Sequence, residues 1–193
     1  MRRTNEERSR TTRHDLVEAA RLRFAEQGYA GTSLAQIAAA AGITTGAVYH
    51  HWENKQELFH AVVEQVHADL HRVLRSRSGG TATPSDRLKA SGSLFLRRCA
   101  DPVVGRILLV DGPSVLGQER WRNLDEQWWR EPTVALLREA GGSGSGLEEL
   151  AIALLGSLTA LGQEIAHDPR PVRIRRCQQV YRTLVDAVSV QVN

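Results

Sequence analysis

Apolar residues recur along this chain at the three- and four-residue intervals of amphipathic helices, and no run alternates in the manner of a half-buried strand. Leu16, Ala20 and Phe24 mark the first stripe, and Gly28 reads as its C-terminal stop. Thr32 and Ser33 offer caps for a short segment, Leu34 to Ala41, with Leu34, Ile37, Ala38 and Ala41 on one face. Gly42 breaks that segment, and Thr44 can cap another short helix running to about His51. Asn54 opens a longer helix, to about Arg75, whose buried stripe is Phe59, Val62, Val63, Val66, Leu70, Val73 and Leu74.

The stretch from Ser78 to Pro84 is the first clear break, and a helix can restart near Pro84 and Ser85. Asp101-Pro102 and Gly112-Pro113 punctuate the next stretch into short helices. A further helix is predicted from about Glu119 to Ala140, kinked or divided by Pro132. The run Gly141 to Gly146 reads as a loop, and two long amphipathic helices, about Leu147 to His167 and Pro171 to Val190, complete the pattern. The expected fold is all-α, with about nine helices.

A chain of 193 residues suits one or two modest domains with a real core. Hydrophobic residues at 41% and charged residues at 24% indicate a globular protein rather than a disordered tail. No stretch approaches the roughly 20 consecutive apolar residues of a membrane helix, so spanning is not expected. The start, Met1 to Glu7, has no apolar segment behind it and does not read as a secretory signal. Cys99 and Cys177, far apart in sequence, form neither a disulfide framework nor a zinc site. The expected location is cytoplasmic.

A net charge of +3 and a pI near 9.2 permit contact with nucleic acid without demanding it. The placement of charge says more. Arg2, Arg3, Arg8, Arg10 and Arg13 face only Glu6 and Glu7, so the leader is locally basic. Two readings stand for it: an arm that reaches phosphates, or a frayed, solvated terminus.

The strongest constellation lies between Leu16 and Leu58. Two short helices, Leu34–Ala41 and Thr44–His51, joined by a tight turn at Gly42-Ile43, have the outline of a helix-turn-helix, whose second helix enters the major groove of DNA. The outward face of that second helix should carry Thr44, Thr45, Gly46, Ala47, Tyr49 and His50. Gly46 and Ala47 let the backbone approach a duplex, threonine offers a hydroxyl or a methyl, and Tyr49 and His50 can reach phosphates or base edges. Val48 is expected to point inward, and Trp52 to seal the unit.

These residues carry a family resemblance. Leu16-Val17-Glu18-Ala19-Ala20, Phe24 to Tyr29, Thr32 to Ala38, and Ala41 to Trp52 followed by Asn54, Lys55 and Leu58 resemble the N-terminal domain of TetR-family, tetracycline-repressor-like, transcriptional regulators. Arg23 stands where that family usually has an apolar residue, and Val48 and Trp52 replace the commoner Leu and Phe. The resemblance implies a homodimer with paired helix-turn-helices on a palindromic operator of double-stranded DNA. It also implies a C-terminal domain whose small-molecule effector alters the spacing of the two heads. It places Thr32 and Ser33 at the operator backbone, Thr44, Thr45, Gly46 and Ala47 at bases, Tyr49 and His50 at phosphate or base, and Lys55 at a phosphate. The implied division is a DNA-binding domain over residues 1–53, then an effector-binding and dimerisation domain over 54–193, linked by helix four.

The segment Arg98 to Trp121 resembles the C-terminal domain of an actinobacterial-type subgroup of the same family. This half has the material for an apolar cavity with polar handles. The candidate effector-binding set is Phe95, Arg98, Ile107, Leu108, Asp111, Trp121, Leu124, Asp125 and Trp128. Trp121, Trp128 and Trp129 admit two readings, ligand contact or packing against a partner subunit. For dimerisation the candidates are the last two helices. Leu147, Leu150, Ala151, Leu154, Leu155, Leu158, Leu161 and Ile165 form too wide an apolar face for one side of a small domain, and Gly156, Ala160 and Gly162 would allow close approach. Ile174, Cys177, Val180, Tyr181, Leu184, Val185 and Val188 give a matching stripe for an intermolecular four-helix bundle. The alternative is that both stripes bury within one subunit.

Other chemistry finds little support. His60, Glu64, His67 and His71 share a helix stripe with metal-ligand residue types, but no further ligands or supporting groups can be named, so no metal is expected. The glycine-rich loop lacks the ending of a phosphate-binding loop, no nucleophile elbow or zinc-protease helix is present, and no cofactor or catalytic residue is expected. Neither cysteine has an obvious activating neighbour, so both read as inert buried thiols. Two function classes therefore stand: a ligand-responsive dimeric regulator, expected to be a repressor, and a helical carrier or enzyme with a vestigial helix-turn-helix.

Overall fold

The computed structural model describes residues 5–76, 83–142 and 146–191. Among the described residues ten helices follow one another: α1 (Asn5–Gly31), α2 (Leu34–Ala40), α3 (Thr45–Tyr49), α4 (Lys55–Ser76), α5 (Pro84–Arg98), α6 (Pro102–Val104), α7 (Gly112–Asp125), α8 (Glu131–Glu139), α9 (Leu147–His167) and α10 (Pro171–Gln191). The described residues include no strand. Most of the expected break at Ser78–Pro84, the centre of the loop at Gly141–Gly146, and Arg2 and Arg3 lie outside the described residues.

From Asn5 onward the leader is not frayed. It continues α1, and Arg8, Arg10 and Arg13 stand exposed along its first turns. The Arg13 guanidinium sits 4.7 Å from the Trp52 ring centroid, which ties the start of α1 to the residue that closes the helix-turn-helix. Gly28, at φ +74°, ends the regular part of α1 where the sequence placed the stop.

The N-terminal core is built from Leu16, Ala20 and Phe24 of α1, Ile37 of α2, Val48 of α3, and Leu58 and Phe59 of α4, all fully buried. Phe59 meets Phe24 edge-on at 5.1 Å and Tyr29 at the same distance. The first turns of α4 therefore complete the N-terminal core, and its remaining turns run on into the second half of the molecule.

The helix expected from Glu119 to Ala140, kinked or divided by Pro132, is divided just ahead of that proline. α7 passes through a π-helical stretch, Glu126–Arg130, into α8, and Pro132 lies in the first turn of α8, where its missing N–H removes no helical hydrogen bond. A second π-helical stretch, Gly105–Asp111, carries α6 into α7. Around these segments α5, α8, α9 and α10 pack together. Gly92 of α5 lies against the Tyr181 ring of α10, so closely that a Cβ there would stand 2.0 Å from the ring.

α9 is long and apolar enough to cross a bilayer by length and composition, and 28% of that apolar window is buried inside the bundle. Leu147, Ala151, Leu154, Gly162 and Ile165 are buried, as are Cys177, Tyr181 and Val185 of α10. Seven of the fifteen residues in the two stripes proposed for dimerisation are thus buried within one subunit. What remains outside is narrower: Ile152, Gly156 and Ala160 at four-residue spacing on α9, and Val172, Val180 and Leu184 on α10.

Candidate nucleic-acid interface and ligand cavity

The helix-turn-helix is fixed by its caps. Ser33 caps α2 reciprocally: its hydroxyl accepts from the Gln36 N–H at 3.2 Å, and the Gln36 carboxamide oxygen accepts from the Ser33 N–H at 2.7 Å. Thr44 caps α3 by accepting the Ala47 N–H at 3.3 Å. Between them Gly42 adopts φ +70°, a conformation that costs an L side chain, and its neighbour Ile43 donates back to the Ala38 carbonyl at 3.0 Å. Val48 alone anchors α3 fully in the core. The opposite face carries Tyr49, 57% exposed, with exposed Thr44, Gly46 and His50, half-buried Thr45 and Ala47, and exposed Ser33 at the start of α2.

Two residues expected at DNA phosphates are turned inward instead. Thr32 is buried, and its hydroxyl donates to the carbonyls of Gly28 at 2.8 Å and Arg23 at 3.2 Å, where α1 has run out of intrahelical donors. The Lys55 ammonium donates to the carbonyls of Tyr29 at 2.8 Å and Thr32 at 2.9 Å, and rests 4.1 Å from the Tyr29 ring centroid. The Thr32 hydroxyl closes the end of α1 on itself, and the Lys55 ammonium ties that end to α4.

The same end of α1 is gripped from the second half of the chain. The Tyr29 N–H donates to Asp111 Oδ2 at 2.8 Å, and Arg106 donates to the Glu26 carbonyl at 2.9 Å. Farther along, Gln56 donates to the Val115 carbonyl at 2.6 Å and Arg120 pairs with Glu57 at 2.7 Å. The π-helical stretch Gly105–Asp111 is thus bonded to the helix-turn-helix unit on one side. On the other side, its Leu108 and Leu109 line a cavity.

That cavity, about 480 Å³, lies among α4, α5, α7, α8, α9 and α10. α4 contributes His67, His71, Leu74 and Arg75; α5 contributes Arg87, Leu88, Ser91, Gly92 and Phe95; Trp121, Asp125 and Trp129 come from α7 and the π-helical stretch after it. Leu136 and Glu139 of α8, Leu154, Leu155 and Leu158 of α9, and Tyr181 of α10 close the wall. Of the nine candidate effector residues, Phe95, Leu108, Trp121 and Asp125 line the cavity. Five do not. Arg98 is exposed, Ile107 and Leu124 are plain core, Asp111 is bonded to Tyr29, and Trp128 stacks behind His67 at 6.5 Å with the rings nearly parallel.

The sequence did not place His67 and His71 on the cavity wall, although the α4 histidine stripe had drawn notice as a metal candidate; Trp129, read there as a candidate ligand contact, does line the cavity. Trp129 Nε1–H donates to His67 Nδ1 at 2.9 Å, which occupies that nitrogen and places the imidazole proton on Nε2. Burial holds His67 down to about 3, so its ring is neutral at ordinary pH. Burial first, and Arg75 second, lower His71 as well, while burial raises Asp125. The described residues contain no group of three His, Cys, Asp or Glu placed to hold a metal. Burial pushes both thiols, Cys99 and Cys177, upward, away from the reactive thiolate.

Comparison with known proteins agrees with this geometry. Residues 16–62 match the family described as bacterial regulatory proteins, tetR family, and residues 85–188 match the tetracyclin repressor-like C-terminal domain. The HTH-type transcriptional regulator TtgR of Pseudomonas putida is 46% identical over 67 residues, which is 35% of this chain and 31% of that protein. AcrR of Shigella flexneri is 46% identical over 63 residues, 33% of this chain and 29% of its own length. These matches span about a third of either partner. A TetR-family transcriptional regulator from Pectobacterium atrosepticum superposes over 96% of this chain and 97% of its own, with a TM-score of 0.78 and 28% identity.

Proposed function

Because the chain belongs to the tetR family of bacterial regulatory proteins, we propose that it is a ligand-responsive repressor that binds a palindromic operator as a homodimer in the cytoplasm. A small effector in the cavity releases it. The observation that carries this reading is the double use of α4. Its Leu58 and Phe59 complete the core of the helix-turn-helix unit, and its His67 and His71 line the cavity.

The operator-facing set is Ser33, Thr44, Thr45, Gly46, Ala47, Tyr49 and His50, with Thr32 and Lys55 supporting it from behind. Ser33 and Tyr49 meet the sugar-phosphate backbone, and the threonines read base edges at close range because Gly46 and Ala47 hold the helix near the groove floor. The exposed residues Ile152, Gly156 and Ala160 of α9 and Val180 and Leu184 of α10 form the homodimer contact. The small residues allow two copies of α9 to approach closely.

Release is a population shift. A ligand that prefers one position of α4 and of the Gly105–Asp111 stretch favours a head spacing that no longer fits half-sites about 34 Å apart. The effector must discriminate between the two states; tight binding to both shifts nothing. No chemistry is asked of the cavity, and the chain is not an enzyme.

The test is selection from random duplex DNA, repeated across salt concentrations. An enriched inverted repeat with steeply salt-dependent binding supports the reading. A folded dimer that enriches no sequence overturns it.

A further inference from the structure

Two residues of the cavity wall carry a buried N–H donor without a partner. Among the described residues four buried side-chain polar atoms lack a partner: His67 Nε2, Arg87 Nε, Trp128 Nε1 and Arg130 Nε. All four are N–H donors, His67 Nε2 because Trp129 already donates to the other ring nitrogen. His67 and Arg87 are themselves cavity-lining residues, and Trp128 is stacked on His67. A buried donor without a partner is costly, and a guest that brings oxygen acceptors removes the cost.

The charges of the wall cancel. Arg75 and Arg87 are balanced by Asp125 and Glu139, with Arg87 paired to Glu139 at 2.6 Å, and both histidines are held toward the neutral form by burial. An anion would find no surplus cation, and a cation no surplus carboxylate. The rings of Phe95, Trp121, Trp129 and Tyr181 add flat apolar surface, which suits a planar guest better than a flexible chain.

We infer that the effector is an uncharged aromatic molecule bearing a hydroxyl or carbonyl oxygen, its ring lying among Trp121, Trp129 and Phe95 and its oxygen accepting from the Nε2–H of His67. This rests on the reading of the cavity as the effector site. A phenolic hydroxyl supplies such an oxygen, and its proton can be taken by an acceptor on the same wall, which includes the Asp125 carboxylate.

The test is calorimetric titration of the full chain, without DNA, against four probes of one size: 2-naphthol, naphthalene, decahydro-2-naphthol and 2-naphthoate. The expected order has 2-naphthol first. It should exceed naphthalene by about five- to tenfold, the worth of one neutral hydrogen bond, and the saturated alcohol and the carboxylate should both bind more weakly. In His67→Phe the advantage over naphthalene should vanish while naphthalene itself still binds, and His67→Gln, which keeps an N–H donor, should restore part of it. Equal binding of naphthol and naphthalene, a preference for naphthoate, or no binding by any probe overturns the inference. The wild-type comparison decides even if a variant fails to fold. Operator binding measured separately keeps the two readings apart. A protein that holds its palindrome but rejects all four probes refutes the ligand class alone, whereas one that binds 2-naphthol as expected yet stays on DNA refutes the effector reading alone.

Discussion

Asp111 accepts the backbone N–H of Tyr29 at 2.8 Å across 82 residues of sequence, and this contact joins the cavity wall to the end of the helix that supports the reading head. Asp111 closes the stretch whose Leu108 and Leu109 line the cavity, while Tyr29 stacks with Phe24, meets Phe59 edge-on and carries Lys55 over its ring. A shift of the stretch therefore pulls on the core beneath α2 and α3.

Asp111→Ala should lower stability by about 1–2 kcal/mol, the value of a part-exposed hydrogen bond to a carboxylate. Urea unfolding measures that loss. The same variant should keep its affinity for a cavity ligand yet respond less to it on the operator. Unchanged release by ligand would show that Asp111 has no part in the coupling.

Lys55 and Tyr49 should separate scaffold from interface. Lys55→Ala leaves the carbonyls of Tyr29 and Thr32 short of a donor and is expected to cost about 1–2 kcal/mol in urea unfolding. Tyr49→Ala, at a 57% exposed position, should stay within about 0.5 kcal/mol of the parent while weakening operator binding. The reverse pattern would mean that the reading face has been misplaced.

Much of this fold was legible in the helical periodicity and its punctuation. Gly28, Gly42, the Ser33 and Thr44 caps, and the last two helices all stand where the pattern put them, because caps and stops act within a few residues. Roles set by distant partners were not legible. Thr32 and Lys55 fit a phosphate-binding motif, yet their polar groups satisfy the frayed carbonyls of α1, a demand visible only once α4 is laid beside it. Asp111 sat in a promising apolar run but faces the other domain. Among the cavity's polar groups, His67 and His71 came from the α4 stripe, which was weighed for metal and otherwise read as packing or solvent residues. The π-helical stretch Glu126–Arg130 shifts the register that a plain α-helix would give, and of the two adjacent tryptophans read as candidate ligand contacts, Trp129 lines the cavity while Trp128 stacks behind His67.

His67 sets a pH dependence. Its folded value near 3 lies below the unfolded value near 6.5, so the unfolded chain binds the extra proton and stability rises with pH between those values. Stability should be level above about pH 7 and fall on acidification below about 6.5, by about 1.4 kcal/mol per pH unit from this group. Unfolding midpoints between pH 7 and 5 should show the slope in the parent and a shallower one in His67→Gln. An equal slope in both would remove His67 as its source.

The exposed strip of α9 and α10 should hold the dimer. Ile152→Asp or Val180→Asp places a charge on a half-exposed apolar position of one chain, where it costs that subunit little, but inside the paired interface. Sedimentation should show a monomer with unchanged helical content. A variant that remains dimeric would move the interface elsewhere.

The most direct measurement compares the selected palindrome with the same duplex scrambled in one half-site, at matched salt. If two copies of α3 read two half-sites, each mismatched pair costs about 1–3 kcal/mol, so scrambling one half should weaken binding by well over about a hundredfold, and two chains should occupy each intact duplex. Equal affinity for both duplexes would contradict the account.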